Sequence, residues 1–130
     1  MPWDEIFVVF IVSHLVGDYM LQTEWQAMHK PGGLTGTSEA RRALASHIAT
    51  YTLAFVPALI WLSSSNHFWV FGIAALIAIP HWIQDDGRLL AKYAQTFKKA
   101  DIKANVALGH ALDQSFHVLA LFLVALLAGG

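Results

Sequence analysis

The 130-residue chain is 56% hydrophobic and only 13% charged, with a net charge of −1 and a mean hydropathy of +0.50. Soluble domains carry about 25% charged residues, so this composition points to a polytopic membrane protein. Balanced charge without a basic stripe speaks against a nucleic-acid partner, and the lack of cysteine excludes disulfides, thiolate ligands and cysteine nucleophiles.

The chain opens Met-Pro-Trp-Asp-Glu, without the basic region of a signal peptide, so the first apolar segment is expected to be retained. Four apolar segments follow, at about 5–25, 43–63, 67–86 and 104–128. Each has roughly the 20 residues that cross a bilayer core of about 30 Å as a helix. They predict an all-α fold: one transmembrane domain over 1–130, built as a four-transmembrane-helix bundle. Pro57 and Pro80 fall within the second and third segments and are expected to kink them.

Loops are expected at 26–42 and 87–103, with a short "SSSNH" turn at 63–67 between them. The 87–103 stretch could be an amphipathic helix at a lipid interface or a continuation of the third segment. All the lysines and arginines lie in the two longer loops: Lys30, Arg41, Arg42, Arg88, Lys92, Lys98, Lys99 and Lys103. The positive-inside rule then puts both loops in the cytoplasm and both termini outside, an N-out/C-out, multi-pass protein of the inner (cytoplasmic) membrane. Trp3, Trp61 and Trp69 fall near one expected surface, and Trp25 and Trp82 near the other.

Ionisable residues inside such segments are costly and usually functional. Segment one holds His14 and Asp18, with Gln22 a turn later; segment two holds His47 and Tyr51. Segment three holds His81 and Asp85; segment four holds His110, Asp113, Gln114 and His117. Three segments thus carry a His/Asp pair at i, i+4, on one helix face. The pair is reversed in segment four, whose direction is also reversed. All the groups therefore share one expected depth.

Imidazole nitrogen with carboxylate oxygen suits a divalent metal, zinc foremost, with iron or manganese as alternatives. His14, Asp18, His47, His81, Asp85, Asp113 and His117 are the candidate ligands, enough for one ion or for two sharing a carboxylate. Gln22, Tyr51 and Gln114 are candidates for touching those ligands or a substrate. Asp18, Asp85 and Asp113 are the candidate catalytic carboxylates, one of which could act as a base toward a metal-activated water. A hydrogen-bonded His/Asp network, a proton relay and a haem site are the competing readings of the same residues. His110 falls near the expected surface, and His29 and His67 lie in loops. No Walker spacing or nucleophile-elbow motif occurs.

"HLVGDYMLQTEWQAMHK" (14–30), "SHIATY" (46–51), "HWIQD" (81–85) and "LDQSFH" (112–117) resemble, in order, the motifs of a bacterial and phage membrane protein family named domain of unknown function 3307. That family tends to follow its third aspartate with an aromatic and a lysine; here "DDGRLLAK" begins at the same aspartate, and spacing favours Asp85 over Asp86. A looser similarity, to predicted membrane-bound metal-dependent hydrolases, implies a hydrolytic activity.

The sequence therefore suggests an integral membrane metal-binding protein, acting as a metal-dependent hydrolase of a lipid or phosphoester. The alternative is a non-enzymatic protein with a structural metal site, or a metal or proton carrier. Membrane lipid is the expected partner, and a homo-oligomer is left open.

Overall fold

The apolar run at the N-terminus forms a helix, but the helix does not continue to residue 25. In a computed structural model that describes residues 1–65 and 67–129, α1 (Trp3–Leu15) gives way to a π-helical turn over Val16–Met20. Leu21 N–H bonds there to Val16 C=O at 2.9 Å, one residue further back than an α-helix reaches. A separate short helix, α2 (Glu24–His29), starts at a capping box in which Thr23 and Gln26 satisfy each other's free backbone N–H groups.

α3 (Ser38–Ala54) begins where the Thr37 hydroxyl accepts from Ala40 N–H. It stops at Phe55, because Pro57 has no N–H to continue the ladder, and α4 (Val56–Ser63) resumes bent by 43°. α5 (Val70–Asp85) carries Pro80 in its interior. Gly87 then turns the chain with φ +82°, a conformation open to glycine, into the amphipathic α6 (Arg88–Phe97). α6 is thus a helix of its own and does not extend α5. Asn105 caps α7 (Val106–Ala128) by accepting from Leu108 N–H. In the expected 63–67 turn, residue 66 lies outside the described residues.

The expected four-transmembrane-helix bundle is therefore not what the chain forms, and the N-out/C-out topology built on four crossings falls with it. Among the described residues the all-α fold has seven α-helices, of which only α7 is a continuous helix long and apolar enough to cross a membrane. α3 and α4 meet that test only if counted as one span across their bend, and α5, at 16 residues, is shorter. Hydropathy averages over a window, so it does not register the π turn at Val16 or the proline-induced break at Phe55.

α7 packs against α1 and α5, α5 packs against α3, and the π turn also lies on α3. At one end these helices bury an apolar core that includes Ile6, Phe10, Phe55, Leu62, Ile77 and Leu121. At the other end the same faces bury His14, Asp18, His47, His81, Asp85 and His117. Tyr51 stands at the boundary, its ring stacked on His81 at 3.6 Å. Outside, many large apolar side chains remain uncovered, Phe68 (95% exposed) and Phe71 (82%) among them.

Candidate metal centre

Each element delivers its polar residues by helical spacing. α5 aims His81 and Asp85 to the same side, with His81 Nε2 3.0 Å from Asp85 Oδ2. α3 brings His47 against the same oxygen at 2.8 Å. The π turn presents Asp18, whose Oδ1 lies 3.1 Å from His47 Nε2 and 3.3 Å from His81 Nε2. The turn sits this close to α3 because Gly17 has no side chain; a Cβ there would lie 2.7 Å from Tyr51 Cδ2. α7 adds His117, with Nε2 2.8 Å from Asp85 Oδ1, and Asp113, with Oδ1 3.3 Å from His117 Nε2.

Four atoms thus converge: Asp18 Oδ1, His47 Nε2, His81 Nε2 and Asp85 Oδ2, all from buried residues. The two imidazole nitrogens are only 3.1 Å apart. Ligand bonds of about 2.0–2.1 Å in a tetrahedral zinc site place neighbouring donor atoms about 3.3 Å apart. The separations here, 2.8–3.3 Å, match that spacing. Asp18 Oδ1 is also buried against the two imidazole nitrogens, where a cation between them would match its charge. A second group, Asp18, Asp113 and His117, also brings one ligand atom each within reach of a single ion. The buried cluster can hold a metal ion on donor chemistry and on geometry alike.

The remaining polar residues brace these groups. Gln114 Nε2 donates to Asp18 Oδ2 at 2.9 Å, which turns its Oε1 toward His14 Nε2 at 2.7 Å. That oxygen only accepts, so His14 carries its proton on Nε2, and its Nδ1 accepts from the Tyr51 hydroxyl at 2.9 Å. His14 is therefore engaged at both nitrogens by Gln114 and Tyr51, and its nearest approach to Asp18 Oδ2 is 3.8 Å. Gln22 lies further out, donating to Asp18 C=O and accepting from Lys30.

Lys30 carries no site role in the sequence reading, and Asp86 enters it only as the alternative to Asp85. Lys30 reaches in from the end of α2, its Nζ 2.8 Å from Asp85 Oδ2. A loop lysine reads as a topology signal, and only its place at the end of the first motif hinted otherwise. Asp86, next to Asp85, turns away from the cluster. It accepts from Leu34 N–H at 3.0 Å and pairs with Arg88 at 2.7 Å. Burial would raise its pKa, but Arg88 and the Leu34 N–H outweigh that and hold the carboxyl below its ordinary value. His110 is exposed and meets the Tyr19 hydroxyl at 3.1 Å. His29 pairs with Glu39 at 3.5 Å and His67 is exposed, so both lie outside the cluster.

Fold and cluster together define an all-helical protein with a buried site able to take a metal. Residues 6–129 match the family described as "Protein of unknown function (DUF3307)", and the chain belongs to that family. No curated protein and no solved structure matches the chain.

Proposed function

We propose that the protein binds a divalent transition metal, zinc foremost, at Asp18, His47, His81 and Asp85, and uses it to hydrolyse an ester or phosphoester of a membrane lipid. The observation that carries the reading is the convergence of four buried donor atoms at 2.8–3.3 Å, the spacing of a tetrahedral coordination shell. Such an ion, when bound, supplies Lewis acidity toward a carbonyl or phosphoryl oxygen and toward water.

Access supports a substrate. Asp113 has 24% of its side chain exposed, and it lines a cleft of about 280 Å³ between α6 and α7 with Gln84, Leu89, Leu90, Tyr93 and Phe116. A largely apolar cleft ending on a carboxylate fits a molecule with an apolar body and a polar reacting group. The uncovered Phe68, Phe71 and Leu127 favour a place at a membrane, where such molecules are found.

A structural metal site is the second reading, favoured by the enclosure of His47 and His81. Zinc-loaded protein assayed on synthetic phosphoesters and on phospholipid vesicles separates the two. The hydrolase reading expects turnover that is lost in His47→Ala. Stoichiometric zinc without turnover on either substrate contradicts it and leaves the structural reading.

A further inference from the structure

We propose that the cluster is a two-metal centre, in which Asp85 bridges the first ion to a second one held by His117, Asp113 and Asp18. The proposal rests on the metal-binding reading above and extends it.

Asp85 divides its two oxygens between different partners. Oδ2 faces His47 and His81 at 2.8 and 3.0 Å, while Oδ1 faces His117 at 2.8 Å. A carboxylate so placed has one oxygen in the first donor group and the other against His117 of the second, an arrangement suited to spanning paired ions about 3.5–4 Å apart. Asp18 likewise belongs to both groups. Gln114 sets the second group's geometry: its Nε2 donates to Asp18 Oδ2 and lies 3.4 Å from Asp113 Oδ2, leaving Asp113 Oδ1 toward His117.

Charge points the same way. Three carboxylates, Asp18, Asp85 and Asp113, sit among neutral-capable imidazoles, with Lys30 as the only lysine or arginine among the described residues that pairs with them. Buried charge of one sign is expensive until it is matched. Two divalent ions would more than match it, leaving an excess of positive charge beside the Asp113 cleft. That excess selects an anionic substrate, so among the ester classes a two-metal site favours a phosphoester.

Manganese titration of the purified full chain, followed by electron paramagnetic resonance, tests the pairing. Wild type is expected to take up two Mn²⁺ per chain and to show an exchange-coupled signal in place of the hyperfine pattern of isolated Mn²⁺. Asp113→Asn, at the partly open rim, should take up one and show the isolated pattern. A wild type that saturates with one uncoupled Mn²⁺ overturns the pairing and leaves the single-ion reading standing. Uptake of two coupled ions by Asp113→Asn overturns the assigned second site, and a wild type that takes up no Mn²⁺ overturns the pairing, while the single-ion reading stands or falls on zinc uptake.

Discussion

The Nε2 atoms of His47 and His81 lie 3.1 Å apart, on helices α3 and α5, and both face Asp85 Oδ2. Two imidazoles cannot both put a proton into that gap, yet each presents a nitrogen to it. A central cation, as proposed above, would accept both lone pairs at once. His47→Ala or His81→Ala should therefore each weaken zinc binding by at least about 100-fold, the upper end of what losing a mere supporting partner costs. Competition with a chelator of known affinity measures it.

Lys30 holds the opposite position: its ammonium already sits 2.8 Å from Asp85 Oδ2. An incoming dication must share that oxygen with a like charge. Lys30→Met is expected to lower the thermal stability of metal-free protein while tightening zinc binding about tenfold, since like charges at this range repel by more than 1 kcal/mol in a partly buried site. Calorimetric titration of the variant beside wild type gives the sign directly.

Gly17 lets the π turn approach Tyr51. Gly17→Ala would press a Cβ to 2.7 Å from Tyr51 Cδ2, against a ring fixed between the apolar core and His81. Overpacking of this kind costs about 1–3 kcal/mol. A lower thermal midpoint, with zinc affinity reduced as Asp18 shifts, is the expected pair of results; an unchanged midpoint would show that the turn has room.

Asp86 provides a control for Asp85. Asp86→Asn should destabilise the chain through loss of the Arg88 and Leu34 contacts while leaving zinc stoichiometry unchanged. Because its carboxyl is held below the ordinary value, its stabilisation is present above the unfolded pKa of about 3.9 and lost as the pH falls through the lower folded value. The gap between wild type and variant in denaturant melts should accordingly be full at neutral pH and shrink in acid.

The chemistry was more legible in the sequence than the architecture. Histidines and aspartates four apart on apolar segments stand out against their surroundings, and the structure brings Asp18, His47, His81, Asp85 and His117 together in the interior with Asp113 at the rim, in two overlapping groups. The helices expected from the apolar segments are present, although the four membrane crossings that expectation was argued from are not. The spans were not legible, because segment length depends on single residues that hydropathy does not weigh: Pro57 at the α3–α4 bend, and Val16 where α-helix becomes π. Nor was the role of Lys30, since a lysine outside the apolar runs carries no mark of the buried carboxylate it will meet.

The most direct test of the central claim is elemental analysis of the purified chain after equilibration with zinc and removal of excess ion. The account predicts at least one tightly held zinc per chain in wild type, and at least one fewer in the His47→Ala, His81→Ala double variant. Wild type without stoichiometric zinc, or a double variant whose zinc content equals that of wild type, would contradict the metal centre at this cluster.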